Sequence, residues 1–327
     1  MREEYTFNKF IFGGLLSKDE DSVSLRILQI NEGIRIHTCN NYGESLEIIK
    51  LASKGIEKKL KLLTKIYYRY PDSNHVRFRP LIDQLDEIVN RLGFVPSDWS
   101  IQICCYCNLK NLKSHKALNF FCKINKKYKI KKVYLEYYPV YKYKLKDIYN
   151  LYDFYKRKEI SFGLIGYQNL LNRVFSEKDI KFLSSKSITI CFLGVLGKGK
   201  QNKEFSNYVL EGKNKIDIIQ ANICYFLYLQ KKYRSIEALT QTSTIEHHNN
   251  FKKRILEAKD YIEGEKFNNF LKKEKSLNKY YFKDYDQYGG YITTKQYIKK
   301  PKLLLSRVKY FFNSIIISLK FNNNFWG

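Results

Sequence analysis

The sequence contains no apolar stretch long enough to cross a bilayer as a helix, which takes about 18 residues. It also begins without a recognisable secretory signal, because the N-terminal stretch MREEYTFNKFIFGG carries acidic residues and has no long apolar centre. We therefore expect a cytoplasmic protein that has no transmembrane segment.

Cysteine is scarce as well. The chain has seven cysteines in 327 residues, and an odd number in a chain of this length argues against a disulfide framework and for a reducing compartment. Cys104, Cys105 and Cys107 lie together in the stretch CCYC, but no second pair follows at the spacing of a zinc site. We therefore expect no metal site.

Acidic residues are few, since 32 Asp and Glu stand against 59 Lys and Arg and leave a net charge of +27. Such an excess is typical of proteins that bind phosphate, nucleic acid or an anionic membrane. Here the lysines are spread along the chain together with Asn, Ile and Tyr, without the clustered Arg and aromatic residues of a nucleic-acid reader. We therefore expect no nucleic-acid partner.

The glycine fingerprint GxGxxG of dinucleotide-binding sheets is absent, because the first predicted strand runs into FGGLLSKDE. The sequence has instead a regular alternation of short apolar strands with amphipathic helices. The predicted strands are Lys9–Phe12, Ile34–Thr38, Lys61–Lys65, Ile101–Tyr106, Lys132–Tyr137, Ile160–Ile165, Ile188–Leu193 and Ile236–Thr240. Eight such units in about 260 residues are typical of a barrel. The sequence thus predicts an α/β fold, a (β/α)8 TIM barrel over residues 1–262.

A C-terminal extension is predicted over residues 263–327, where the alternation is lost and the sequence becomes basic and aromatic. Its last part, KPKLLLSRVKYFFNSIIISLKF, is amphipathic and carries several lysines. We expect this part to pack against the barrel, and the alternative is a peripheral contact with an anionic membrane.

Groups that can transfer protons follow the predicted strands at the end where a barrel of this kind holds its active site. His37 and Tyr42 follow the second strand, Lys65 ends the third, and Tyr106 stands in CCYC at the end of the fourth. A tyrosine beside an ammonium group is a favourable proton donor, because the positive charge lowers the pKa of the phenol. The sequence therefore predicts an acid–base site at this rim.

The same motifs give the chain a resemblance to the aldo-keto reductases. The stretch IHTCNNYGESLE is similar to that family's second strand with its Tyr-Gly and Ser-Glu pairs, and LLTK is similar to its third. QNLLNRVFSEKDIKFL and ALTQTSTIEHHNNFKKRI are similar to later segments, so that the resemblance covers roughly residues 6 to 262 in the family's order. It implies hydride transfer from NADPH, with NADH not excluded, to a small carbonyl substrate such as an aldehyde, ketone or keto-sugar.

The resemblance also implies roles for the rim residues. Tyr42 matches the family's proton donor and Lys65 matches the lysine beside it. His37 stands where the family has an aspartate, and the family's histidine after the fourth strand is replaced by Cys104, Cys105 or Tyr106. Two of the four catalytic positions therefore depart from the pattern.

The cofactor positions implied by the resemblance lie in three later loops. A hydroxyl pair near the start of the last helix suits a phosphate, because free N–H groups and the helix dipole favour an anion there. The stretch GKGK is a second candidate phosphate contact, whereas Ile165 stands where the family has a glutamine that holds the nicotinamide. The cofactor-binding candidates are Asn169, Gly197, Lys198, Thr242, Ser243, Glu246 and His247. Lys252, Lys253 and Arg254 are further candidates for a 2′-phosphate contact, or form a solvated basic face.

These observations leave two functional hypotheses. The first is an NAD(P)H-dependent carbonyl reductase of the aldo-keto reductase type, in which Tyr42 donates the proton. The second is a pseudoenzyme, a catalytically impaired barrel that acts as a nucleotide-binding or assembly protein. A reaction at a cysteine of CCYC is disfavoured, because no histidine lies near in sequence to activate a thiol.

Overall fold

A computed structural model gives the structure of most of the chain up to the end of the last predicted helix. It describes residues 7–14, 16–67, 70–71, 76–77, 80–104, 115–130, 132–137, 145–170, 173–196, 218–263 and 267. The predicted extension over residues 263–327 lies outside the described residues except for Glu263 and Phe267, and its boundary stays a prediction. None of the helices in these ranges is both long and apolar enough to cross a membrane.

Eight strands form a closed barrel in which every neighbouring pair is parallel. The described residues contain ten strands in chain order, namely β1 (Phe10–Gly13), β2 (Arg35–Cys39), β3 (Lys61–Tyr67), β4 (Tyr70–Pro71), β5 (Val76–Arg77), β6 (Asp98–Cys104), β7 (Lys132–Glu136), β8 (Ser161–Tyr167), β9 (Thr189–Leu193) and β10 (Ile236–Gln241). Their order around the barrel is β1-β10-β9-β8-β7-β6-β3-β2, and β4 and β5 form a separate antiparallel pair.

Eight α-helices of the described residues alternate with the barrel strands. They are α1 (Glu20–Asn31), α2 (Ser45–Ser53), α3 (Leu81–Leu92), α4 (His115–Tyr128), α5 (Leu145–Lys156), α6 (Glu177–Ser185), α7 (Ile218–Lys232) and α8 (Ile245–Ile262). Local signals explain their ends: Ser176 and Asp179 form a reciprocal capping box at the start of α6, and Gly93 ends α3 at a φ of 84°. The predicted (β/α)8 TIM barrel is confirmed.

Three of the differences from the sequence-based prediction concern β3 to β6. The third strand does not end at Lys65 but continues to Tyr67, because the Gln84 side chain bonds both the N–H and the C=O of Tyr67, at 2.9 and 2.8 Å. The fourth barrel strand, β6, begins at Asp98, before the predicted start at Ile101. The short β4–β5 pair was not predicted, since two-residue strands carry no period.

The barrel separates two apolar regions. The larger one lies between the sheet and the helices and holds the outward side chains of the strands. The smaller one fills the middle of the barrel and contains Ile11, Leu63, Tyr134, Ile165 and Cys191. The interior is therefore a packed core rather than a channel, as expected for a barrel of eight strands.

The amino-terminal end of the barrel interior is closed by charged side chains. Glu237 on β10 lies 3.0 Å from the ammonium of Lys132 on β7 and 3.9 Å from the guanidinium of Arg35 on β2, and it accepts a hydrogen bond from Tyr134. Arg35 also contacts both carboxylate oxygens of Asp98 at 3.1 Å. Since β7 and β10 are not neighbours, these contacts pass through the barrel interior. We call Arg35, Asp98, Lys132, Tyr134 and Glu237 the floor network.

Candidate active site

Strands β2, β3 and β6 are neighbours, and their register brings the predicted rim residues together. Cys39 is paired with Lys65, and Lys65 is paired with Gln102. Paired residues of a parallel sheet project their side chains to the same face, and His37 is paired with Leu63 of the barrel core. The predicted residues His37 and Lys65 therefore lie on the inner face of the barrel, near its carboxyl end.

The imidazole of His37 is buried and neutral. Its Nε2 lies 3.1 Å from Oε1 of Gln102, and since an amide oxygen only accepts, Nε2 carries the proton and Nδ1 is the acceptor. Burial, aided by the charge of Lys65, lowers the pKa of His37 to about 3. A β-carbon at Gly13 would lie 3.0 Å from Nδ1, so glycine at this position makes room for the ring. At neutral pH His37 therefore adds no charge beside Lys65.

Tyr42 lies at the barrel mouth beside His37. Its ring meets the His37 ring edge-on, with centroids 5.8 Å apart, and packs against Cys39 and Tyr67. The ammonium of Lys65 lies 5.1 Å from the centre of the Tyr67 ring. The structure thus gathers the predicted His37, Tyr42 and Lys65 around one mouth and adds Cys39, Tyr67 and Gln102, which sequence reasoning missed. The missed signal for Gln102 is a polar residue in the otherwise apolar run IQIC.

The Cys39 thiol is buried, and its environment favours the protonated form. Burial raises its pKa to about 11, although hydrogen bonds with neighbouring groups oppose the shift. Sγ lies 2.7 Å from Oδ1 of Asn41 and 3.9 Å from the hydroxyl of Tyr67. The thiol is therefore a small buried wall of the mouth beneath Tyr42.

The turn that carries Tyr42 is held by a side chain of α3. Arg91 donates to the carbonyl oxygens of Asn40 and Gly43, at 2.7 and 2.8 Å, on either side of Tyr42. The same guanidinium makes a two-pronged contact with Glu47, at 2.9 and 2.8 Å. Because both flanking carbonyls are bonded, the backbone around Tyr42 is fixed relative to the helix layer.

We expect the His37 ring to remain neutral when the pH is lowered from about 8 to about 5, because protonation would bury a second positive charge near Lys65. Ring-nitrogen NMR of protein labelled at histidine measures this directly, with His37→Gln identifying the resonance. A histidine-containing peptide in the same buffers supplies the comparison. A midpoint near that of the peptide would contradict the assigned environment.

The depressed pKa of His37 also sets the sign of its effect on stability. The unfolded chain, with an ordinary histidine pKa of about 6.5, binds a proton that the folded chain refuses until the pH approaches its own pKa of about 3. The contribution of His37 to the free energy of unfolding is therefore complete above the unfolded pKa and is lost progressively as the pH falls toward the folded one.

The turn from β10 to α8 and the first turn of α8 together carry four of the seven predicted cofactor residues, Thr242, Ser243, Glu246 and His247. Thr244 is the N-cap of α8 and accepts a hydrogen bond from the N–H of His247 at 3.1 Å. Ser243 is exposed and its hydroxyl lies 3.0 Å from Nδ1 of His247, whereas the hydroxyl of Thr242 is buried and accepts from Gln29 at 3.2 Å. The cap was missed, although a threonine directly before a helical pattern is its usual signal.

Of the predicted cofactor residues, Asn169 and Glu246 also lie in the described part of the chain. Asn169 is buried, and its amide donates to the carbonyl oxygen of Gly194 at 2.8 Å, while the exposed Glu246 lies in the first turn of α8. Ile165 belongs to the apolar core of the barrel. Tyr106, Gly197 and Lys198 lie outside the described residues. Within the described ranges, no three His, Cys, Asp or Glu side chains meet as a metal-binding group.

Lys252 and Lys253, both basic candidates on α8, each contact a carboxylate. Lys252 contacts Glu32, the C-cap residue of α1, and Lys253 lies 3.9 Å from Glu257 on α8. The contact with Glu32 is partly buried, so Lys252 ties α8 to α1. The position of Lys252 is therefore explained by a contact within the protein, and no ligand is needed to explain it.

Among the comparisons with known proteins, only those with solved structures found matches, and these concern the fold. No protein-family model matches the sequence, and no curated protein sequence matches it either. An aldo-keto reductase from a Medee basin deep-sea metagenome library is 16% identical, with a TM-score of 0.58, and the match covers 88% of this chain and 93% of that one. A Klebsiella pneumoniae aldo/keto reductase in complex with NADP and acetate is 14% identical, with a TM-score of 0.57 and coverage of 82% and 90%.

A further Klebsiella pneumoniae aldo-keto reductase, in complex with NADPH, is 11% identical, with a TM-score of 0.56 and coverage of 87% of this chain and 95% of the other. At such identities the likeness concerns the path of the chain rather than the chemistry of single residues. The resemblance that the ordered motifs predict is thus confirmed for the fold. The chain has the barrel fold of the aldo-keto reductases, at low sequence identity.

Proposed function

We propose that the protein is an NADPH-dependent carbonyl reductase in which Tyr42 donates a proton to the carbonyl oxygen. The observation that carries the proposal is the meeting of Tyr42, His37 and Lys65 at the carboxyl end of β2 and β3, in a barrel that resembles NADP- and NADPH-bound aldo-keto reductases. In barrels of this kind the reaction takes place at that end. The substrate class is an aldehyde, ketone or keto-sugar.

The turn before α8 fits the phosphate end of a dinucleotide. The exposed side chains of Ser243 and His247 flank the N-terminus of an 18-residue helix, whose first N–H groups favour an anion. The fit is weaker at the nicotinamide end, because Ile165 has no amide to offer. We therefore propose Thr242, Ser243 and His247 as phosphate contacts, with Glu246 beside them. Asn169, whose amide donates to the carbonyl oxygen of Gly194, is a weaker candidate for a cofactor contact.

The proposed roles of the mouth residues follow from their charges. A reduced nicotinamide cofactor, when bound, supplies the hydride that the carbonyl carbon accepts. The hydroxyl of Tyr42 gives its proton to the carbonyl oxygen, and solvent returns a proton to the phenolate. The ammonium of Lys65 on the adjacent strand favours the phenolate form. The neutral His37 supports the Tyr42 ring at the position where the family has a charged carboxylate.

A second candidate function is a barrel that binds a nucleotide without reducing a carbonyl. The observation in its favour is the pair of neutral side chains, His37 and Gln102, that bond each other beneath Tyr42. A neutral imidazole cannot pair with an ammonium as a carboxylate does, so Lys65 is tuned differently from the family's lysine. Under this alternative the cofactor binds and no turnover follows.

We expect NADPH to bind at micromolar concentration and to be consumed when a suitable carbonyl is added. Quenching of protein fluorescence measures binding, and loss of NADPH absorbance with a panel of aldehydes, ketones and keto-sugars measures turnover. Because a net charge of +27 attracts polyanions in general, ATP at the same concentration and ionic strength is the control.

Each outcome of this titration decides between the two candidates. Turnover supports the reductase, and binding without turnover on the whole panel supports the nucleotide-binding protein. Equal affinity for NADPH and ATP would mean that the binding site does not select a nicotinamide cofactor, and it would overturn the reductase. A comparison with NADH reports the contribution of the 2′-phosphate.

A further inference from the structure

A chain of buried polar side chains joins α1 to the turn before α8. Arg26 and Gln29 of α1 and His248 of α8 are fully buried, and Thr242 of the turn is 5% exposed. Arg26 donates to Gln29, Gln29 lies 3.2 Å from the hydroxyl of Thr242, and it lies 3.5 Å from Nδ1 of His248. This group, which we call the α1–α8 chain, connects the middle of a helix to the proposed phosphate turn.

One residue fixes the direction of every hydrogen bond in the chain. A guanidinium only donates, so the amide oxygen of Gln29 must face Arg26. The NH2 group of Gln29 then faces the opposite side and donates to Thr242. A flipped amide would bring the NH2 group against the Arg26 donor and leave no donor for Thr242.

The Thr242 hydroxyl already accepts a hydrogen bond from Gln29, so its own proton is left to donate. Its Oγ1 accepts from Gln29, and its own proton has no acceptor among the residues that the structure describes. The hydroxyl stands two residues before the cap of α8, where the helix N–H groups already favour an anion. A buried O–H that must donate, next to such a terminus, is suited to a phosphate oxygen.

The consequence for His248 is a fixed tautomer. Its Nδ1 faces the NH2 group of Gln29 and accepts, so the proton is on Nε2, which donates to Glu32 at 2.8 Å. Lys252 contacts the other oxygen of the same carboxylate. Burial lowers the pKa of His248 and outweighs the attraction of Glu32, so the ring is neutral at pH 7.

Arg26 also leaves positive charge beneath the turn. Its Nε and Nη2 have no hydrogen-bond partner in the described part of the chain, and burial lowers its pKa to about 10, which still leaves it protonated at pH 7. A buried cation without a carboxylate partner is costly, and a bound anion nearby offsets part of that cost. The charge of Arg26 and the donor direction of Thr242 thus favour the same kind of ligand.

We infer that Arg26 and Gln29 are positioning residues of the phosphate site, holding the Thr242 hydroxyl as a donor toward a phosphate oxygen. The inference rests on the proposed function, since it assigns to α1 a part in binding the same cofactor. It goes beyond the turn itself, because it places the control of donor direction in a helix far away in sequence. The partner chemistry is a phosphate group of a dinucleotide.

Gln29→Glu tests the inference, because a carboxylate at this position still accepts from Arg26 but cannot donate to Thr242 or His248. Its oxygens only accept, so Thr242 must turn its proton toward Glu at this position and away from a ligand. We expect the Kd for NADPH to rise at least tenfold, about 1.4 kcal/mol, while the melting temperature stays the same or rises. A merely structural role for Gln29 predicts no change in Kd in a variant that folds this well.

Thr242→Val is the matched variant, since it keeps the shape and removes the hydroxyl. We expect it to weaken NADPH binding by a similar factor, and the double variant Gln29→Glu, Thr242→Val to lose little more, because both changes remove the same donor. Additive losses would overturn the coupling between the two residues. An unchanged Kd in Gln29→Glu would overturn the inference outright.

Two further measurements separate this inference from the proposed function. Ring-nitrogen NMR should show His248 protonated at Nε2 alone in the original protein and at both ring nitrogens in Gln29→Glu, where Nδ1 and Nε2 each face a carboxylate, whether or not a cofactor binds. The same Kd series is repeated with inorganic pyrophosphate. If the protein binds pyrophosphate but not NADPH, the proposed function is wrong. The Kd values of the variants for pyrophosphate then test the inference by themselves. Binding of neither would overturn both.

Discussion

Tyr42→Phe is expected to lower the rate of carbonyl reduction by about 10² to 10⁴-fold and to leave the Kd for NADPH nearly unchanged. The substitution removes only the hydroxyl that donates the proton. The ring keeps its contacts with His37, Cys39 and Tyr67, so the shape of the mouth is preserved. Single-turnover loss of NADPH absorbance measures the rate, and fluorescence quenching measures the affinity.

The control for this experiment is the same substitution on the outer layer. Tyr152 lies on α5, where its ring contacts the ammonium of Lys156 at 5.8 Å, and Tyr152→Phe keeps that ring. Its rate and affinity should equal those of the original protein. If Tyr42→Phe reduces carbonyls at the original rate, the proton comes from another group and the assignment of Tyr42 is wrong.

Glu237→Gln is expected to destabilise the fold by about 3 to 5 kcal/mol, because it leaves buried cations without their shared carboxylate. Lys132 and Arg35 both lie near that carboxylate, at 3.0 and 3.9 Å, and the Glu237 side chain is only 11% exposed. The amide has a similar shape, so the loss is one of charge rather than of packing. Equilibrium unfolding in urea measures the change in free energy.

Glu177→Gln supplies the matched control, because Glu177 contacts Lys232 at 2.6 Å and the two side chains are 55% and 43% exposed. Exposed pairs contribute roughly 0 to 1 kcal/mol, so this variant should unfold almost like the original protein. Equal losses in the two variants would mean that the floor network carries no special weight.

The floor network also predicts how stability depends on acid. Burial would raise the pKa of Glu237, but the charge of Lys132, the hydrogen bond from Tyr134 and the charge of Arg35 together hold it below its usual value. The stabilisation by the carboxylate is therefore complete above the unfolded pKa and is lost as the pH falls through the folded one. In Glu237→Gln this part of the acid dependence should be missing from the unfolding curves.

Much of the barrel could be predicted because its strands and helices carry strong local signals. All eight predicted barrel strands are present, and a capping signal such as Ser176 marks a helix start within a residue. Tyr42 and Lys65 could be predicted to lie at the same end of the barrel for a related reason: Tyr42 follows β2, and Lys65 lies near the carboxyl end of β3, the neighbouring strand. This placement depends on topology rather than on the details of packing.

The remaining site residues depend on contacts that no local pattern contains. Gln29 and Thr242 are separated by 213 residues, and their contact arises only where α1 packs beside α8. Arg26 reads in sequence as an ordinary polar position of an amphipathic helix, yet its side chain is fully buried. The neutral state of His37 likewise follows from burial and from Lys65, which only the folded barrel brings close.

The floor network has a consequence for how the chain reaches this fold. Lys132 and Glu237 are 105 residues apart in sequence, and the last strand must also pair with β1 at the other end of the chain. Contacts of such long separation form only after large loops have closed, which slows folding. Until β10 is in place, the inner charges of Arg35 and Lys132 lack their carboxylate. The closing of the barrel is therefore expected to be a late kinetic step, in which strand insertion and charge neutralisation occur together.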